Sequence, residues 1–115
     1  MDSGREIAIK AAQAAVEKKA HDIKVLDLRG IFPVADYFVI CSGRSTTHLD
    51  AIAQEIQEQL GKSAEGYFRK QGTPQSGWIL LDYGSVVVHI FSEEARSFYD
   101  LEHLWGDASI IMQNS

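Results

Sequence analysis

The spacing of apolar positions changes period several times along this chain, and each change marks an element. From Arg5 to Ala20, the residues Ile7, Ala8, Ile9, Ala11, Ala12, Ala14, Ala15 and Val16 leave Lys10, Gln13 and Glu17 at helical spacing, which predicts an alanine-rich helix with one wet stripe. So many alanines suit close packing against a sheet. Ile23 to Leu28 follows as a short strand, and Arg29 to Ala35, with Gly30 and Pro33, breaks it. Tyr37 to Ser42 is an almost unbroken apolar run, the pattern of a strand buried on both faces. It ends at Gly43-Arg44-Ser45 and feeds a second helical pattern with the apolar stripe Leu49, Ile52, Ala53, Ile56 and Leu60. Ser45, Thr46 and Thr47 offer N-caps for that helix, and Gly61 stops it.

Lys62 to Gly77 is polar and glycine-rich, expected to be the most mobile stretch, with a short strand at Tyr67 to Lys70. Trp78 to Asp82 and Ser85 to Phe91 flank Tyr83-Gly84 and read as a β-hairpin. If Asp82 pairs with Ser85, then Leu80 faces Val87 and Trp78 faces His89, all on one mixed face. The opposite face carries Ile79, Leu81, Tyr83, Val86, Val88 and Ile90; it is almost purely aliphatic and is expected beneath helices. Ser92 caps a last helix, Glu93 and Glu94 suit the positive end of its dipole, and Ala95, Phe98, Leu101 and Trp105 form its inward stripe. The tail from Gly106 onward is expected to be weakly ordered. Together these elements predict an α/β (α+β) domain spanning residues 1–115, a mixed sheet of about five strands with flanking helices. Three helices leave part of such a sheet uncovered, and an apolar patch with a polar rim suits a partner.

Composition narrows the function classes. With 115 residues, 45% apolar and 23% charged, the chain can build one core without a disulfide or metal staple. Its net charge of −5 and isoelectric point near 5.2 repel phosphate backbones and favour basic partners, which disfavours a charge-driven nucleic-acid binder. Cys41 lies inside the apolar strand as a small hydrophobe with no second cysteine to bridge. Residues 1–10 have no signal-peptide core and no apolar run approaches a membrane span, so a cytoplasmic location is expected.

The strand, the Gly43 corner and the following helix could hold an anion on backbone amides, as the phosphate-holding corner of nucleotidyltransferases does. That chemistry also needs two carboxylates one residue apart on a strand, so that both hold divalent metal ions beside the transferring phosphate. No predicted strand carries such a pair. Asp100 and Glu102 have the spacing but lie on a helix, where a two-residue step turns them apart. Gly43 lacks the Gly-Lys-Ser or Gly-Lys-Thr of a phosphate loop, and His21, His48, His89 and His103 have no metal-ligand spacing. No catalytic, metal or cofactor site is expected. Arg96 and Asp100 are spaced for a helix-surface ion pair, and Trp78, at a strand start after a glycine-rich loop, suits an interface anchor.

Three blocks in order, Asp36-Tyr-Phe-Val-Ile-Cys-Ser-Gly-Arg-Ser45, Trp78-Ile-Leu-Leu-Asp-Tyr-Gly-Ser-Val-Val-Val-His-Ile-Phe91 and Arg96-Ser-Phe-Tyr-Asp-Leu-Glu-His-Leu-Trp105 with Asp107-Ala108, resemble the ribosomal silencing factor, or Iojap, family over nearly the whole chain. The resemblance implies a nucleotidyltransferase-like fold without catalytic carboxylates, often a homodimer when free. It also implies binding to the large ribosomal subunit through that subunit's ribosomal protein number fourteen, obstruction of small-subunit docking, and lowered translation when nutrients are scarce. On the mixed sheet face, Trp78 and Leu80 are the expected apolar anchors, Asp82 an acceptor for a basic side chain and His89 a polar contact, with Tyr83, Tyr99 and Glu102 at the rim. The alternatives are a metal-dependent nucleotidyltransferase that gathers scattered acids such as Asp36 and Asp82, and a homodimeric scaffold that binds no ribosome.

Overall fold

The apolar run at the Gly43 corner becomes the centre of the sheet because both of its faces find cover. In the computed structural model, which describes residues 3–61, 67–104, 106 and 108–114 apart from the side chains of Ser3, Glu102 and Leu104, α1 (Ser3–Glu17) leads into β1 (His21–Asp27) and β2 (Tyr37–Gly43). Next come α2 (Thr46–Leu60), β3 (Arg69–Thr73), β4 (Trp78–Asp82) and β5 (Val86–Ser92), then α3 (Glu93–Tyr99), α4 (Leu101–Leu104) and β6 (Ser109–Asn114). All seven residues of β2 are buried. The sheet is mixed and six-stranded, in the order β3-β4-β5-β2-β1-β6. β2 and β5 run parallel, and the other neighbours are antiparallel.

The sixth strand corrects the expectation of about five strands and a weakly ordered tail. Ile110 to Met112 is too short a run to signal a strand by itself, but β1 offers a free edge, and Leu26 pairs with Ile110 and Ile23 with Asn114. The short strand expected at Tyr67 to Lys70 forms as β3, two residues further along.

Side-chain alternation sorts the sheet into two clusters. On one face Val39, Cys41, Ile79, Leu81, Val86, Val88 and Ile90 lie beneath the alanines of α1 and the stripe Leu49, Ile52, Ala53, Ile56 and Leu60 of α2. Ser45 caps α2 by accepting the His48 N–H at 3.1 Å. On the other face Leu26, Phe38, Ile40, Val87 and Phe91 form a smaller cluster, covered by Phe32 and Ala35 of the β1–β2 connection and by Ala95 and Leu101.

The hairpin register differs from the expected one by two residues. Asp82 pairs with Val87, Leu80 with His89 and Trp78 with Phe91, because Tyr83 donates its N–H to the Val86 carbonyl at 2.8 Å, which moves the two-residue turn one position along, to Gly84-Ser85. Two residues is one pleat period, so every side chain keeps its predicted face.

The last helix also departs from its expected stripe. Asp100 adopts a left-handed conformation (φ 48°, ψ 51°) and ends α3 after seven residues. Arg96 takes the inward position: it is buried, and its guanidinium donates to Ser42 Oγ at 2.9 Å and to the Asp22 carbonyl at 2.6 Å. It makes no surface pair with Asp100, which bonds His103 instead at 3.1 Å. Phe98, two residues beyond Arg96, is thereby turned outward and is 81% exposed. Trp105, expected on the inward stripe, lies outside the described residues.

Candidate functional site

β4 begins at Trp78, and the indole lies on the second face of the sheet among aromatic rings. Its centroid is 4.4 Å from that of Tyr99, 5.1 Å from Phe91 and 5.8 Å from His89. The indole N–H donates to His89 Nδ1 at 3.2 Å. Trp78, Leu80 and Tyr99, with Gln71, Gly72 and Ser76, line a shallow cavity of about 200 Å³. Three of the predicted site residues therefore share one concave surface, and Tyr99 is 44% exposed there. Arg69, Gln71 and Thr73 of β3 pair with Asp82, Leu80 and Trp78, so the register sets them on the same face.

Sequence reasoning missed Gln71, Gly72 and Ser76. The available signal was Gly72 in a polar segment, since only glycine fits there. Its φ is +81°, and a Cβ would overlap the Trp78 carbonyl oxygen and sit 3.1 Å from the Trp78 carbonyl carbon. Ser76 completes the wall by accepting the Trp78 N–H at 3.4 Å and donating its hydroxyl to the Thr73 carbonyl at 2.8 Å.

The other predicted residues are placed elsewhere. His89 is only 4% exposed and lies under Trp78, with Phe38 against its ring at 4.5 Å. Burial depresses its pKa to about 3, so the imidazole is neutral at physiological pH. Asp82 is half-buried at the far end of β4 and uses Oδ1 to accept the Gly84 N–H at 2.8 Å, which fixes the turn. Tyr83 is on the opposite face, 6% exposed among the core residues beneath the helices. Its ring meets Phe68 at 5.0 Å, and burial pushes its hydroxyl up to about 12. It lines a different cavity with Gln57, Gly61 and Phe68. The side chain of Glu102 lies outside the described residues.

The Gly43 corner is closed from within. A Cβ at Gly43 would approach Leu49 Cδ2 to 2.8 Å, so the glycine lets α2 pack onto the strand end. The Arg44 N–H, one of the amides an anion would need, donates to His48 Nδ1 at 3.0 Å. That bond places the imidazole proton on Nε2, which donates to the Lys18 carbonyl at 2.6 Å. Cys41 in the adjoining strand is fully buried, and desolvation raises its pKa to about 12, far from nucleophilic chemistry.

Asp36 and Asp82 are not gathered at this corner. Asp36 precedes β2 and Asp82 pairs with Val87, both at the end of the sheet opposite Gly43, about 20 Å away along a seven-residue strand. Among the described residues no group of three or more His, Cys, Asp or Glu side chains could hold a metal ion. No helix among them is long and apolar enough to cross a membrane.

Known proteins match the chain along nearly its whole length. The family model described as "Ribosomal silencing factor during starvation" matches residues 1–115. A Bacillus subtilis protein named ribosomal silencing factor RsfS is 46% identical over 100 residues, covering 87% of this chain and 85% of that protein. A mouse protein named mitochondrial assembly of ribosomal large subunit protein 1 is 35% identical over 92 residues, 77% of this chain and 40% of its own length. A crystal structure of a Chromobacterium violaceum protein superposes with a TM-score of 0.83 at 32% identity, covering 92% of this chain and 88% of that one. The family match over residues 1–115 and the similarity to these relatives agree, and the chain belongs to the ribosomal silencing factor family.

Proposed function

We propose that this protein binds the large ribosomal subunit through its ribosomal protein number fourteen and blocks the small subunit from docking, lowering translation when nutrients are scarce. The observation that carries the reading is the Trp78–Leu80–Tyr99 cavity, a concave aromatic surface on the sheet face left open by α1 and α2. The family's description supports a silencing role in starvation, and the mouse relative's name supports a large-subunit partner. A net charge of −5 favours a basic protein as the direct contact. The mechanism is steric, with no bond made or broken.

Trp78→Ala is expected to weaken binding to the isolated ribosomal protein at least tenfold, about 1.4 kcal/mol, with the fold intact. In sucrose gradients with purified subunits, the wild-type chain should comigrate with the large subunit and reduce joined ribosomes, and the variant should do neither at matched concentration. Wild-type affinity in the variant would place the contact elsewhere.

In this reading the free protein is a homodimer. Sedimentation equilibrium should return twice the 12.8 kDa chain mass, whereas a monomer at micromolar concentration would remove that part of the reading.

A further inference from the structure

We propose that His89 is the positioning residue of the docking face: its Nδ1 holds the Trp78 indole in the orientation that the partner meets. The inference rests on the reading of Trp78 as an anchor and adds how that anchor is set.

Leu80 sits opposite His89 on the neighbouring strand, Phe38 meets the imidazole edge-on at 4.5 Å, and Phe91 stacks with it at an interplanar angle of 8°. Because Nδ1 accepts the indole N–H, the ring proton is on Nε2, and among the described residues that buried nitrogen has no hydrogen-bond partner. A buried donor without a partner is a standing cost to folding. Leucine or phenylalanine would fill the same apolar site without it. What neither can supply is an acceptor 3.2 Å from the Trp78 N–H.

Trp78 needs such an acceptor because it is only half-buried and lies at the first position of its strand. A free indole there can turn its N–H to water, and the ring then leaves Tyr99. Bonded to His89, it is held with its ring centroid 4.4 Å from that of Tyr99 as a wall of the cavity. Binding a partner then requires less ordering of a large side chain, the usual gain from preorganisation.

The test compares His89→Asn, His89→Gln and His89→Leu for affinity to purified large subunits, with the Trp78 indole N–H resonance followed in nitrogen-15-labelled protein and assigned through Trp78→Phe. Asparagine places an acceptor near the position of Nδ1, glutamine near Nε2, and leucine places none. His89→Asn is expected to stay within threefold of wild type and to keep the shifted indole resonance. Both His89→Gln and His89→Leu should lose about tenfold and move that resonance toward the solvent value. Equal affinities in the folded variants, or equal losses in the asparagine and glutamine variants, would overturn the inference. If Trp78→Ala weakens binding and the His89 variants do not, positioning alone fails; if Trp78→Ala is also neutral, the docking-face reading fails with it.

Discussion

One methyl group added in the Gly72→Ala variant is expected to abolish most partner binding, at least a tenfold loss, although residue 72 is on an edge strand with all five residues exposed. The φ of +81° costs a non-glycine residue roughly 1–3 kcal/mol. The new Cβ also overlaps the Trp78 carbonyl oxygen, a backbone atom that no rotamer change can move aside. Relief must come from the backbone. Among the described strands β3 pairs only with β4, so the cheapest relief is for β3 to peel away, leaving the core beneath α1 and α2 intact. The cavity then loses the Gln71–Gly72 wall and Trp78 loses its support. Binding assays should show the affinity loss, hydrogen exchange should show opening confined to β3 and β4, and urea unfolding should fall by about 2 kcal/mol. Wild-type affinity with unchanged exchange would show that the cavity wall has no part in docking.

Acid should destabilise the protein through His89 over a defined window. Its pKa is near 3 in the fold and about 6.5 in the unfolded chain, so between those values the unfolded state binds the extra proton. Stability is therefore full above pH 6.5, declines as the pH falls, and loses the whole contribution below about pH 3. From pH 7.5 to 4.5 the linkage predicts a loss of roughly 2–3 kcal/mol from this one group. Asp27, held below the usual carboxylate range by its hydrogen bond from Arg29, and Glu55, lowered by its bond from Gln59, lose stability in the same direction. Both titrate equally in His89→Leu, so urea unfolding of the two proteins at both pH values isolates the imidazole. Identical pH slopes would mean that His89 is protonated in the fold as readily as in water.

Local signals were legible in the sequence where one residue pattern had one structural meaning. The buried strand, its corner at Gly43, the Ser45 cap and the stripe of α2 could be read directly, because period and capping chemistry are contained within a few residues. The division of Trp78, Leu80 and His89 from Ile79, Leu81 and Val88 was also legible. It depends only on strand alternation, which survived a two-residue error in register. Features decided by distant partners were not legible. Arg96 points inward because Ser42 and the Asp22 carbonyl, far away in sequence, accept its guanidinium, and nothing near Arg96 announces them. Phe98 looked like a core residue only while α3 was read as continuous through Asp100. β6 depends on a free edge of β1, and the β3 side of the cavity depends on pairing with β4.

The separation of the two apolar clusters has an evolutionary consequence. The larger apolar cluster lies between the sheet and α1 and α2, whereas the Trp78 cavity occupies the reverse side of the same strands. Substitutions on opposite sides of a sheet share few contacts and tend to act additively. If the cavity is the docking face proposed above, it can thus follow a changing ribosome by successive replacements of Gln71, Leu80 or Tyr99, each selected for fit with little penalty in foldedness. His89 limits that freedom, since the indole above it and the packing around it must change together.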